Sequence, residues 1–81
     1  MQIILFTTEG CHLCEQAHEL LLDIADQQPL DIVLREIGDD DDLVARYGIR
    51  IPVVRFPDQR ELDWPFSQAD VETIISREIN K

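Results

Sequence analysis

"TTEGCHLCEQAHELLL", residues 7–22, holds the only two cysteines of the 81-residue chain. Cys11 and Cys14 stand where a turn-like "TEG" gives way to a helical pattern. Leu13, Ala17, Leu20, Leu21 and Ile24 recur at a spacing that places them on one helix face, while Glu15, Glu19, Asp23 and Asp26 tend toward the other. Immediately upstream, "QIILFT" (residues 2–7) is a β-branched and aromatic run suited to a buried strand. What the rest of the chain can do depends on the purpose of this strand-to-helix junction.

If Cys11 occupies the N-cap or first turn, unpaired N–H groups and the helix dipole stabilise its thiolate and lower its pKa below the ordinary value of about 8.5. Cys14, one turn on, falls on nearly the same face and within reach of a disulfide. Thiol–disulfide exchange uses such a pair: one thiolate attacks a substrate disulfide, and the second resolves the mixed disulfide. Exposure then assigns the roles, with Cys11 at the helix tip as nucleophile and Cys14 inside the first turn as resolver. A protonated His12 favours the thiolate, whereas Glu9 and Glu15 oppose it, so a modestly lowered pKa and a rather reducing couple are expected. Two other readings use the same residues. Cys11, Cys14 and His18 could face one way and bind zinc, with only His12 or a carboxylate to supply a fourth ligand. Alternatively, both cysteines are small apolar core residues. Outside the zinc reading, His18 is expected on the helix surface.

Pro29 ends this helix at the latest. "LDIVLREI" (residues 30–37) is expected as a second strand, its apolar residues on both parities suggesting burial on both faces. Asp39 to Asp42 precede "LVARYG", where carboxylates suit a helix N-terminus and Gly48 suits the C′ position. Calcium or partner binding is the other reading of that acidic run. "IRIPVVRF" (residues 49–56) returns to strand character with Pro52 at its entrance, "PDQR" is turn material, and "ELDW" (residues 61–64) completes a hairpin. Ser67 to Asp70 reads as a capping box with Asp in place of Glu, with Phe66 and Val71 as its hydrophobic staple. Val71, Ile74, Ile75 and Ile79 form the apolar face of a last helix. Trp64 is expected in the core, with a substrate-groove wall as the other reading.

The order β-α-β-α-β-β-α over residues 1–81 fits a single α/β domain. A parallel strand–helix–strand unit joined to an antiparallel hairpin makes a mixed four-stranded sheet with helices on both faces. A chain this short buries roughly 60% of its unfolded surface, enough for an economical core. The formal charge of -10, from 17 acidic against 7 basic side chains, argues against nucleic acid or an anionic membrane as partner. No secretory leader is visible and no apolar run is long enough to cross a bilayer, so a cytoplasmic location is expected. In that compartment two cysteines more often serve catalysis or metal binding than a permanent staple.

The Cys11-x-x-Cys14 pair opening a helix, "RIPVV" (residues 50–54) ahead of a hairpin, and "ELDWPF" (residues 61–66) together resemble the thioredoxin fold in its minimal, glutaredoxin-like form. The resemblance covers nearly the whole chain and is greatest to a group of small glutaredoxin-like bacterial proteins. It implies a thiol–disulfide oxidoreductase exchanging electrons through a Cys11/Cys14 dithiol–disulfide couple, in a monomer without a tightly bound cofactor. Glutathione as co-substrate or a protein disulfide is the implied partner. Pro52 becomes a cis-proline beside the redox pair, and substrate contacts are implied at His12, Leu13, Ile51, Pro52, Val53 and Ser67. The peptide groups at Ile51 and Val53 would offer edge-strand hydrogen bonds to an extended substrate. Ser67 and Asp70 could hold an α-carboxylate and amine, and Arg50 and Arg55 a glycine carboxylate. The chain departs from typical glutaredoxins at three places: His12-Leu13 replaces Pro-Tyr, no lysine precedes the motif, and Trp64-Pro65-Phe66 replaces a Gly-Gly turn. A non-catalytic thioredoxin-fold module that binds a partner or senses redox state is the alternative function. A third option is an iron–sulfur cluster held through Cys11 in a dimer.

Overall fold

The computed structural model describes residues 1–79. In chain order they form β1 (Gln2–Thr7), α1 (His12–Ala25), β2 (Asp31–Glu36), α2 (Asp41–Tyr47), β3 (Val53–Arg55), β4 (Glu61–Asp63) and α3 (Gln68–Ile79). The strands make one sheet in the order β2-β1-β3-β4. β1 runs parallel to β2, in register from Gln2 opposite Asp31 to Thr7 opposite Glu36. On its other side β1 is antiparallel to β3, and β3 turns back into β4. This is the mixed α/β sheet expected from the element order.

Alternation along β1 divides the core between two layers. Ile3 and Leu5, with Val54, face Ala17, Leu21 and Ile24 of α1 and Val71 and Ile75 of α3. Phe6 and Val53 face the opposite way, toward Tyr47 of α2 and Ile37. Each such aliphatic side chain, fully buried, contributes about 1.5–3 kcal/mol of transfer free energy. In the two-turn helix α2 only Tyr47 is buried, stacking on Phe6 with centroids 4.1 Å apart, while Leu43 packs partly against the same cluster. The side chain of Ile79 lies outside the described residues.

Helix ends are closed as their local chemistry dictates. The Asp40 carboxylate accepts the N–H groups of Asp42 and Leu43 at 3.0 and 3.2 Å, capping α2. At α3 the Ser67 N–H donates to the Asp70 carboxylate at 3.0 Å and the Asp70 N–H to Ser67 Oγ at 3.1 Å, a reciprocal capping box. Phe66 and Val71 are both buried, as a staple requires. Caps of this kind contribute about 1 kcal/mol each.

Four local expectations need correction. Val33 and Leu34 are 38% and 50% exposed, so β2 is not buried on both faces. The reason is position: β2 is an edge strand, and the helices centre their apolar faces on β1 and β3. Leu13 is 47% exposed, and the buried stripe of α1 is Cys14, Ala17, Leu21 and Ile24. Leu13 sits on the flank of that stripe in the first, least covered turn. Gly48 ends α2 with φ -53°, a right-handed conformation rather than the left-handed C′. Glycine is needed there for closeness instead, because a Cβ would lie 2.5 Å from the Val44 carbonyl oxygen. Trp64 is only partly buried, packing at the core's margin with its ring edge-on to Phe66 at 5.1 Å. Among the described residues no helix is long and apolar enough to cross a membrane.

Candidate functional site

The cysteine loop begins where β1 ends. Gly10 takes φ +74°, a left-handed conformation that L side chains rarely adopt, and this turns the chain into α1. Cys11 follows as the N-cap in extended conformation, and its Sγ accepts the Cys14 N–H at 3.1 Å. The two sulfurs are joined in a disulfide, with the Cα atoms 5.2 Å apart. Cys14 is only 3% exposed, while Cys11 keeps part of its surface open. On reduction, a sulfur at the N-cap faces the free N–H groups of the first turn, which favour its thiolate.

A carboxylate from across the sheet holds this loop in place. Glu36, at the end of β2, accepts the Glu9 N–H at 3.1 Å and the Gly38 N–H at 2.7 Å. Its carboxyl is held below the usual range, first by the Gly38 N–H, then by the Thr8 hydroxyl and, against slight desolvation, the Glu9 and Ile37 N–H groups. Glu36 therefore ties the loop that presents Cys11 to the turn after β2.

A cleft of about 340 Å³ opens beside the disulfide, between α1 and β2. Both cysteines line it, with Glu9, Glu15 and His18 as its ionisable neighbours and Leu34 on the β2 side. His18 is thus partly buried against the redox pair rather than on the outer helix surface. His12 is exposed, with Nδ1 3.6 Å from a Glu15 carboxylate oxygen. Among the described residues no three His, Cys, Asp or Glu side chains are grouped to hold a metal ion.

The Ile51–Pro52 peptide is cis, as is Trp64–Pro65. Val53 pairs with Phe6, so Pro52 comes level with the end of β1, from which the cysteine loop departs. The backbone groups flanking Pro52 are largely engaged within the protein. The Ile51 N–H donates to the Tyr47 carbonyl at 3.0 Å, and the Pro52 carbonyl accepts the Trp64 N–H at 3.1 Å. Val53 lies between β1 and β4, not on a free edge, with its side chain fully buried.

The remaining sequence candidates are brought to other tasks. Arg50 grips Asp63 with Nε and Nη2 at 3.0 and 2.8 Å and reaches Glu61 at 3.0 Å. Arg55 contacts Glu61 at 3.4 Å and donates to the Tyr47 hydroxyl, which itself donates to Glu61 at 2.6 Å. Neither guanidinium stands open for a glycine carboxylate. Hydrogen bonding from Arg50 lowers the Asp63 pKa despite some desolvation. Burial raises that of Glu61, but the bonds from Tyr47, Arg50 and Arg55 outweigh it and leave it lowered. Ser67 and Asp70 are closed on one another in the capping box. The sequence did not single out Glu36, and it set His18 beside the cysteines only in the zinc reading, leaving it otherwise on the helix surface. The four-residue step from Cys14 to His18 was a usable signal for the second, and nothing local marked the first.

A dithiol–disulfide pair at the tip of the first helix, on a mixed sheet of order β2-β1-β3-β4, defines a glutaredoxin-like protein of the thioredoxin fold. The family model for the Glutaredoxin-like domain (DUF836) matches residues 2–76, and the chain belongs to that family. It is similar to protein XcR50 from X. campestris, whose X-ray structure is 39% identical with a TM-score of 0.75, over 93% of this chain and 96% of that one. Protein Ne2328 from Nitrosomonas europaea is 21% identical with a TM-score of 0.78, over 90% and 88% of the two chains. Thioredoxin 1 from Thermosipho africanus TCF52B is 21% identical with a TM-score of 0.74, over 99% and 96%. The last two likenesses establish the fold alone. No curated protein matches the chain.

Proposed function

We propose that the protein is a thiol–disulfide oxidoreductase that cycles between the Cys11–Cys14 disulfide and the dithiol while exchanging electrons with a substrate disulfide. The observation that carries this reading is the contrast within the pair: Cys11 is partly open at the N-cap, and Cys14 is 3% exposed one turn behind it. Cys11 attacks the substrate disulfide and Cys14 displaces the second substrate thiolate from the mixed disulfide. His12 and Leu13, exposed between them, form the surface a substrate meets.

Of the two substrate classes, a protein disulfide is better supported than glutathione. Arg50 and Arg55 are committed to Glu61 and Asp63, and Ser67 and Asp70 to each other. A net charge of -10 also disfavours an anionic tripeptide. The non-catalytic alternative draws on Glu9 and Glu15, whose charges beside the sulfurs oppose thiolate formation.

Intact-mass analysis of reduced Cys14→Ser protein tests the reading, after incubation with either oxidised glutathione or a disulfide-linked peptide. A trapped adduct on Cys11 is expected with both, forming faster with the peptide. Failure to form an adduct with either would sink the oxidoreductase assignment.

A further inference from the structure

We propose that His18 is the catalytic base that takes the proton from Cys14 when the mixed disulfide is resolved. The inference rests on the dithiol–disulfide cycle above and concerns its second half. Cys14 must become a thiolate to attack Cys11, yet at 3% exposure its ionisation is penalised by burial. The helix terminus gives it little help, because the Cys14 N–H points to the sulfur of Cys11. In the mixed disulfide Cys11 is itself bonded to substrate and cannot accept a proton. A separate acceptor is needed at this face of α1.

The cleft beside the disulfide offers three ionisable groups besides the thiols: Glu9, Glu15 and His18. His18 follows Cys14 by four residues on the same helix, which sets their Cβ atoms about 6 Å apart on one face. Both residues line the cleft of about 340 Å³, which has room for water, so the proton can pass through one water. Basicity then selects among the three. Moving a proton from a thiol of ordinary pKa about 8.5 to an imidazole of about 6.5 is uphill by about two pK units, against about four for a glutamate. The imidazole is favoured roughly a hundredfold.

The acidic surroundings acquire a purpose in this arrangement. Glu9 from the loop and Glu15 from α1 are the charged groups facing His18, while the strands contribute Leu5, Thr7 and Leu34, which do not ionise. The charge of these carboxylates is opposite to that of an imidazolium, and among the described residues no lysine or arginine lines the cleft. In the resolving step the Cys14 S–H proton passes to His18, and the Cys14 sulfur bonds to Cys11 Sγ. The bond from Cys11 to the substrate sulfur breaks, and the substrate leaves as a thiolate. The disulfide of the protein is thereby formed at the expense of the mixed one, and the substrate sulfur carries away the electron pair.

Stopped-flow reaction of the reduced protein with one equivalent of 5,5′-dithiobis(2-nitrobenzoate) separates the two halves. Attack by Cys11 releases the first thionitrobenzoate in a second-order phase, and resolution by Cys14 releases the second in a concentration-independent phase. In wild type the second phase should show an inflection with pH as its base is protonated. In His18→Gln the ratio of second to first rate should fall about a hundredfold and the inflection should vanish. Added imidazole should restore the second phase in His18→Ala, which a merely structural role would not produce, with circular dichroism checking the fold of both variants. A folded His18→Gln protein that keeps the wild-type ratio and inflection would overturn the assignment while leaving the redox cycle intact. A wild-type protein with no first-order second release would overturn the cycle itself, and the role of His18 with it.

Discussion

The backbone N–H of Glu9 donates to the carboxylate of Glu36 at 3.1 Å, across 27 positions of the chain. That bond joins the loop presenting Cys11 to the end of an edge strand, and the Gly38 N–H shares the same carboxylate at 2.7 Å. Replacement Glu36→Ala removes an acceptor from both amides at once. Amide hydrogen exchange at Glu9 and Gly38 should then accelerate by about tenfold or more, as local opening becomes easier. Unchanged protection at the two amides would show that the loop is held by something else.

Tyr47 joins α2 to the hairpin through a hydroxyl that donates to Glu61 at 2.6 Å and accepts from Arg55. Tyr47→Phe keeps the stack on Phe6 but leaves Glu61 and Arg55 without that partner. A loss of about 1–2 kcal/mol is expected from the denaturant midpoint at unchanged m-value. Neutrality would mean that the Arg55–Glu61 ion pair closes over the gap.

Acid should weaken the protein through the same hairpin. Asp63 and Glu61 are held below their ordinary pKa values, the first by hydrogen bonds from Arg50 and the second by Tyr47, Arg50 and Arg55 acting against burial. A carboxyl whose folded pKa is lowered stabilises the fold fully above its unfolded value and loses that contribution as pH falls through the folded value. Wild type should therefore exceed Asp63→Asn by about 0.5–1 kcal/mol at neutral pH, with solvent screening allowed for. The gap should hold down to about pH 5 and close below about pH 4. Paired thermal melts across that range provide the check, and a gap that widens with acid would contradict the assignment.

Gly48 closes α2 with its N–H on the Val44 carbonyl at 2.8 Å, and a Cβ would meet that carbonyl oxygen at 2.5 Å. Alanine is the better helix former by about 1 kcal/mol. The clash should nonetheless win, making Gly48→Ala less stable by about 1–2 kcal/mol. A higher melting temperature for the variant would show that the end of α2 can shift away from the Val44 carbonyl to make room.

Much of the frame is legible in the sequence. The place of Cys11 at the N-cap or first turn, the capping box of Ser67 and Asp70 and a cap for α2 from within Asp39 to Asp42 are contacts within one helical turn, so the order of a few residues specifies them. The structure selects the N-cap for Cys11 and Asp40 for α2. The sheet could be anticipated because "QIILFT", "IRIPVVRF" and "ELDW" carry strand chemistry in the order that a parallel crossover and a hairpin require. At the site, the sequence located the sulfurs but not their surroundings. Arg50 and Arg55 looked available for an anionic ligand, because nothing in the "IRIPVVR" stretch shows that Glu61 and Asp63 fold back onto them.

By itself, then, the sequence determined that two cysteines open a helix after a strand, in a chain of glutaredoxin-like order. Tertiary structure decided which of their neighbours count. It left Leu34 half exposed on an edge strand, closed Glu36 onto the cysteine loop, and turned His18 into a cleft shared with both sulfurs. Local hydrogen bonds and helical periodicity act over about four residues, whereas exposure and cleft walls depend on which distant strand lies alongside. That choice is made by burying the β1 residues between two helical layers, and no window of the sequence contains it.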